Sequence, residues 1–558
     1  MLTSVQTRKP KKNKFDLSRE AKLTGNMGYL YPCFIQDVVP GDSFKVNTSQ
    51  LVRFSPMLSP AMHQIDFKID YFFVPYRLVW DEWKDFITGG EDGEEYPSYP
   101  RFEVNTDVAE NYLFKGSLAD YMGIPPYIEN SGNAWEYILE DSQIIGDVEQ
   151  HQLSLLPFRA YQLIYHEYFR DQNVGTEFNQ YTGSGILLSN DPTSSRNDQL
   201  NLRKSNWQKD YFTSALPFLQ RGEEVTLPLG NIAPLEYVAG TTADKTKVKY
   251  QGSHLQAPQG DLYTDYNSGE TNVSIYNYQG GFNFDVSENH VVDLTQATGA
   301  TINALRKASA LQQWLELMAR AGSRYREQIY AIFGERIQDY TVQVPQYLGG
   351  GKTPIQVNEI LNTYENTSNA NDRPVGDMHG HGIGVGSGLG FKQSFDEHGV
   401  ILGLCRIIPK ASYVQGLSKF WQKFDKFQHY FPQFANLGEQ PVSNSELYVT
   451  GTQAMDNADS YPNAVFGYQQ RYAEYKYSFD TMAGDFYDSL AYWELSRRFT
   501  NTPVLNQSFI ECNPSSRIFA LHDDSLSIEE QEDKIWINLY HKTEALRPMP
   551  YHSNPMLT

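Results

Sequence analysis

The chain has 558 residues, 40% of them hydrophobic and 14% aromatic, with 28 prolines, 41 glycines and a formal net charge of −21. This composition excludes a disordered polymer and fits a large folded chain with many turns, while the acidic balance excludes a surface that coats nucleic acid everywhere, since phosphate binding draws on clustered Lys and Arg. No apolar run is long enough for a membrane span, the N-terminus has no secretory signal, and Cys33, Cys405 and Cys512 form no CxxC pair, so membrane insertion, a disulfide scaffold and a zinc knuckle are set aside and a reducing cytoplasm fits.

The first segment departs from the acidic average. Arg8, Lys9, Lys11, Lys12, Lys14, Arg19 and Lys22 face only Asp16 and Glu20. Residues 1–25 therefore read as a flexible basic arm, with Arg8, Lys9, Lys11, Lys12 and Lys14 as candidate DNA-binding residues; a solvated terminus without a partner is the alternative. Next, Ile65 to Tyr71 alternates apolar and polar residues and runs into Phe72-Phe73-Val74-Pro75, which predicts a half-buried strand ending at proline. Trp80, Trp83 and Phe86 then share a helical face before Gly89 and Gly90. Residues 156–171 predict a second helix, with Pro157 in its first turn and Phe158, Tyr161, Tyr165 and Tyr168 as packing residues along one side.

Residues 231–299 change character, becoming rich in Gly, Thr, Asn, Gln and Tyr. They read as an insertion carried by the core, either an exposed variable loop or a binding surface, whose candidate contact residues are Tyr250, Tyr263, Tyr266, Tyr276 and Tyr278. From Thr301, the spacing of Ile302, Leu305, Leu311, Leu315, Met318, Ile329 and Phe333 predicts one long amphipathic helix with a core-facing stripe. Further strands are expected over 224–229, 400–408, 472–479 and 534–540. Without regular strand-helix alternation, this pattern favours an antiparallel sandwich with large connections. Trp421, Phe424, Phe427, Tyr430, Phe431 and Phe434 crowd one short segment and are expected mostly in the core, with a subunit interface as the alternative.

Several motifs invite chemistry and fail on context. Gly349-Gly350-Gly351-Lys352-Thr353 imitates the end of a P-loop, but Gln346 stands where the first glycine belongs and Pro354 where the helix would begin. Gly382, Gly384, Gly386, Gly388 and Gly390 have no strand leading in and no helix following, and read as a flexible loop. Asp377, His379 and His381 have ligand chemistry but no evident fourth partner. There is no GxSxG elbow and no cysteine nucleophile signature. No catalytic residue, metal or cofactor is assigned.

Blocks spanning most of the chain resemble, in order, the major capsid proteins of the gokushovirus branch of the Microviridae: HQIDFKIDYFFVPYRLVWDEW from His63, LPFRAYQLIYHEYFRDQN from Leu156, KDYFTSALPFLQRGEEVTLPLG from Lys209, the block from Thr301 ending in QVPQYLGGG, FDEHGVILGLCRIIP from Phe395, YVQGLSKFWQKFDKFQHYFPQFANLGEQ from Tyr413 and FGYQQRYAEYKYSFD from Phe466. The resemblance implies a mainly β chain, an eight-stranded antiparallel jelly roll over 26–558 with long helical and loop insertions. It also implies a T=1 icosahedral homo-oligomeric shell around circular single-stranded DNA, assembled in the bacterial cytoplasm. The 231–299 insertion would project at the threefold axes for attachment to a host cell-surface receptor. Expected partners are genomic single-stranded DNA, an internal scaffolding protein and a small basic DNA-associated protein. Two other readings, a carbohydrate-recognition protein and a polysaccharide hydrolase with paired carboxylates, stay open on the aromatic loops and abundant acids alone.

Overall fold

The structure is a computed structural model and describes residues 10–104, 106–126, 152–175, 180–187, 197–223, 225, 235–237, 248–251, 281–284, 290–292, 302–322, 324–339, 341, 343–363, 375–449, 464–520 and 532–552. It divides into a larger unit, residues 1–221 with 316–558, and a smaller one, residues 222–315. The larger unit is organised by one nine-stranded sheet. Its strands are β1 (Asn13–Asp16), β2 (Arg19–Gly25), β3 (Tyr31–Val38), β4 (Ser43–Phe54), β5 (Ile65–Pro75), β6 (Gln346–Leu361), β7 (Met378–Ser394), β8 (Gly399–Pro409) and β9 (Ile535–Arg547).

Four antiparallel pairs nest about the connection formed by residues 76–345: β5 with β6, β4 with β7, β3 with β8 and β2 with β9. A ribbon paired in this way and then rolled must bring its ends over its middle, and β9 pairs with β4 as β8 pairs with β5. The sheet is the curled, antiparallel jelly roll expected, with its two halves joined through the β6·β7 pairing. The long insertions enter at the 76–345 and 410–534 connections.

The residues explain why each strand sits where it does. On β4, Phe44, Val46, Val52 and Phe54 alternate with Lys45, Asn47 and Arg53, so one face lines the interior and the other meets solvent. β5 is buried on both faces, not half-buried as its alternation predicts: Phe67, Ile69 and Tyr71 fill the roll, while Phe72 and Val74 pack outward into a second core. The nearly all-apolar run of β8, broken only by Arg406, has the same cause, with Ile401, Cys405 and Ile407 inside and Val400, Leu402 and Leu404 against that second core. Helix α1 (Trp83–Thr88) ends at Gly89, whose φ of 80° supplies the left-handed cap. Helix α2 (Leu156–Ile164) has Pro157 in its first turn and continues as a wider π turn through Tyr165–Phe169. Tyr161 is structural, donating to the Leu30 carbonyl at 2.9 Å.

Four expectations need correction. The glycine run 382–390 is not a loop but lies within β7, and Gly349 to Thr353 lies within β6. At the inward position of Gly382 a Cβ would come within 2.6 Å of the Phe54 ring, so a close approach of strands, not flexibility, demands glycine. Residues 472–479 are not a strand: Tyr472 takes a left-handed φ of 61° and leads into a short turn, while the strand is Val465–Gln470, paired with Glu439–Ser443. The single long helix is two, α3 (Ile302–Ala321) and α4 (Tyr325–Phe333), and most of its stripe is not core, since Ile302, Leu305, Leu311 and Phe333 are exposed while Met318 is buried. The 534–540 strand extends to Arg547 as β9, and the 224–229 strand falls almost wholly outside the described residues.

In the smaller unit, Leu235–Tyr237 pairs with His290–Val292 and Val248–Gln251 with Gly281–Phe284.

Candidate functional site

The outer face of the sheet at β2, β4, β7 and β9 gathers chemistry that the linear sequence scatters. Register sets Trp536, Asn538, Tyr540, Lys542 and Glu544 of β9 opposite Arg53, Leu51, Ser49, Asn47 and Lys45 of β4. Directly paired residues share a face, so this row points to one side. On the flanks, Lys22 of β2 stands opposite Asn538, and Lys392 of β7 opposite Lys45. Trp536 and Tyr540 are 47% and 45% exposed. Lys14, Lys22, Lys45, Arg53, Lys392 and Lys542 thus outnumber Asp16, Glu20 and Glu544 on this face, in a chain whose net charge is −21.

The acids present are already engaged. Lys14 Nζ lies 3.2 Å from Glu544 Oε2, and that contact holds the Glu544 carboxyl below its ordinary range. Asp16 is lowered by Ser18, whose hydroxyl and amide both donate to it. Beside Trp536 the face opens into a depression of about 1530 Å³ whose lining balances Lys22, Arg53, Lys115 and Arg203 with Glu110, Asp120, Glu532 and Asp533, so the excess of cations belongs to the strands and not to the depression. Asp533 accepts from Thr24 Oγ1 at 2.5 Å and from Asn26 Nδ2 at 3.1 Å, and Asp120 accepts from the Gly116 amide at 2.8 Å. Lys22 meets Glu20 at 3.2 Å and Arg203 meets Asp198 at 2.6 Å. Exposed ammonium and guanidinium groups beside flat aromatic rings can neutralise phosphates and stack bases without reading sequence.

The face is held by the interior behind it. His541, on the opposite side of β9, is fully buried. Its Nδ1 lies 2.8 Å from Thr48 Oγ1, which is 2.5 Å from the Tyr71 hydroxyl, and its Nε2 lies 3.1 Å from the Cys33 carbonyl oxygen. A neutral ring fits, with Nε2–H donating to the carbonyl and Nδ1 accepting from the threonine. Burial, assisted by Arg19, pushes the imidazole down to about 4.

Of the arm candidates, Lys14 lies in β1 on this face, whereas Lys11 and Lys12 precede the strand and Arg8 and Lys9 fall outside the described residues. From Asn13 onward the segment is paired with β9 through two strands, Asn13–Asp16 and Arg19–Gly25. Tyr250 occupies a strand position opposite Phe282, while Tyr263, Tyr266, Tyr276 and Tyr278 fall outside the described residues. Sequence reasoning missed Trp536, Tyr540, Lys45, Arg53 and Lys542. The period-two pattern of β4 and β9 was available, but not their pairing across nearly the whole chain.

Other candidates have structural employment. Asp377 and His379 are 3.8 Å apart, and among the described residues no group of three or more His, Cys, Asp or Glu could hold a metal ion. Burial raises the Glu446 carboxyl, which accepts from the Tyr211 hydroxyl at 3.0 Å. Glu474 holds Lys423 at 3.1 Å, and Glu494 holds Arg517 at 2.8 Å.

A second surface contradicts its expected burial. Phe420, Trp421 and Phe424 are 69%, 67% and 91% exposed, and Phe427, Tyr430 and Phe431 between 42% and 52%. The dense aromatic segment is a surface strap, not core.

The jelly roll is a scaffold that serves many functions, so the family must come from elsewhere. The sequence profile of the family described as Capsid protein (F protein) matches residues 3–557. The chain belongs to this phage capsid protein family. It is 33% identical to capsid protein VP1 of Chlamydia phage 1, over 100% of this chain and 97% of the relative. It is 34% identical to capsid protein VP1 of Bdellovibrio phage phiMH2K, over 90% and 88%, and 27% identical to that of Spiroplasma virus 4, over 95% and 93%. The relationship to Microviridae capsid proteins of the gokushovirus branch is the one the ordered blocks indicated. These relatives carry the names of structural proteins, which accords with a non-enzymatic chain, and no helix among the described residues is long and apolar enough to cross a membrane.

Proposed function

We propose that the capsid subunit builds a T=1 icosahedral shell around circular single-stranded DNA and turns the β2–β9–β4–β7 face toward the genome. The observation that carries this reading is the concentration of exposed cations with Trp536 and Tyr540 on one face of an otherwise acidic chain. A wall of this kind contacts DNA independently of sequence. Arg8, Lys9, Lys11 and Lys12 extend the basic supply beyond β1. The remaining negative charge of the subunit leaves work for a small basic DNA-associated protein, and an internal scaffolding protein directs assembly in the host cytoplasm. Residues 231–299, with Tyr250, Tyr263, Tyr266, Tyr276 and Tyr278, form the threefold protrusion that meets the host receptor.

The deciding experiment measures DNA retention by purified particles across a salt series. Replacing Lys45, Lys542 and Trp536 together by Ala should leave the shell intact. Each lost phosphate contact should flatten the salt slope by about 0.7, and the lost stacking platform should cost about 1–3 kcal/mol per bound base. Unchanged retention and slope would place the genome against another face. Exchanging residues 231–299 for a relative's segment should change host attachment with particle yield intact; collapse of assembly with attachment unchanged would return the segment to the core.

A further inference from the structure

We infer that the aromatic strap over residues 417–437 is a contact surface for a second copy of this chain, an inference that rests on the shell reading above. Exposed aromatics in a loose loop would carry little weight, but this segment is fastened at many points. The Leu417 amide donates to the Ser445 carbonyl at 2.8 Å, and Ser418 caps the first short turn through the Phe420 amide. The Phe424 and Asp425 amides both donate to Gln428 Oε1, at 2.7 and 3.0 Å, while Asp425 caps the following turn.

The underside of the strap is equally tied. The Lys423 side chain is covered, 3.1 Å from Glu474 and 3.6 Å from the centre of the Tyr475 ring. Arg471 and the Tyr472 hydroxyl both donate to the Phe427 carbonyl, at 3.1 and 3.3 Å. Tyr472 holds a left-handed φ of 61° to do so, a conformation that costs free energy and persists where surrounding contacts over-determine it. Lys423 and the contacts to Phe427 fasten the strap from beneath, Asp425 and Gln428 brace its turns from the surface, and the aromatic rings are left outward. This bracing pre-organises large, low-entropy side chains for contact.

The exposed area is suited to a copy of the chain. At about 200 Å² for each aromatic side chain, the exposed fractions of Phe420, Trp421, Phe424, Phe427, Tyr430 and Phe431 amount to roughly 700 Å². A standard protein interface takes about 800 Å² from each partner, so the strap alone is nearly one complete half-interface. A capsid subunit meets its own copies at the highest local concentration. Phe424, the most exposed ring, is the expected centre of the contact.

The test uses the full-length chain expressed together with the other genes of its phage. Phe424→Asp should leave the thermal unfolding of the isolated subunit unchanged and lower particle yield by about tenfold or more, as loss of a hot-spot contact does. In parallel, a benzophenone amino acid in place of Phe424, irradiated in assembled particles, should give a product of twice the subunit mass whose cross-link joins position 424 to another copy. Cross-links only within one chain, or to a different protein, overturn the inference, as do wild-type particle yields from Phe424→Asp. If the wild-type chain forms no particles under these conditions, the shell reading itself falls and takes this surface with it. Wild-type particles with an indifferent Phe424→Asp variant remove only the surface.

Discussion

Two aromatic clusters of similar sequence density have opposite fates. Trp80, Trp83 and Phe86 pack on one another and on Tyr99, with ring centres 4.9 to 5.9 Å apart, and Trp80 is fully buried with its indole N–H donating to Ser184 Oγ at 2.6 Å. Phe420, Trp421 and Phe424 lie on a strap fastened beneath by Lys423 and braced along its length by Gln428, and their rings stay in solvent. Ring content does not decide burial. What decides it is whether another element arrives to cover the rings: β5, β8 and α2 share a second core with the first cluster, and within the described chain nothing comparable covers the second. For a capsid subunit the second case acquires its meaning from the next copy.

The comparison breaks most sharply at Trp80. Trp80→Ala should lower the unfolding free energy of the subunit by about 3–5 kcal/mol, because it removes a fully buried ring and leaves a cavity. Phe424→Ala should change it by less than about 0.5 kcal/mol. Denaturant unfolding of both variants measures the difference, and equal losses would erase the distinction between core and strap.

The same contrast between inside and outside applies within one strand to titration. His541 is buried with its pKa lowered to about 4 from an ordinary 6.5. Below pH 6.5 the unfolded chain binds a proton that the folded chain refuses, so stability falls as the pH drops toward 4, by about 3 kcal/mol in all. His541→Gln should flatten this dependence in unfolding curves between pH 6.5 and 4. Glu544, three residues on and half-exposed on the outer face, shifts through its contact with Lys14, and Lys14→Ala should let its carboxyl titrate at higher pH by NMR.

A smaller effect is expected inside β7. Gly382→Ala should destabilise by about 1–3 kcal/mol, since the new Cβ meets the Phe54 ring in a packed interior. The same change at Gly388, whose Cβ would find nothing within 4 Å, tests backbone conformation alone, because its φ of 86° is disfavoured for alanine.

Much of the framework was readable from local pattern. β5, β8, α1 and α2 follow from alternation, apolar runs and the Pro and Gly residues at their ends. β7 was also present in its residues, because glycine at every second position is the period of a strand; the reading failed by treating glycine only as freedom, when here it makes room for Phe54. The candidate DNA face was readable only in halves. Lys45 and Arg53 on β4 and Trp536, Tyr540 and Lys542 on β9 each show the right alternation, but their union requires pairing two strands separated by long insertions.

By itself the sequence determined the β character, the ordered family blocks, the acidic balance and the basic beginning, since each depends on residue identity and short-range spacing. Tertiary structure alone decided which alternating strands became neighbours, which aromatic cluster was covered and which histidine lost its affinity for protons. Those outcomes depend on what arrives from elsewhere in the chain to exclude water, and no local pattern records that.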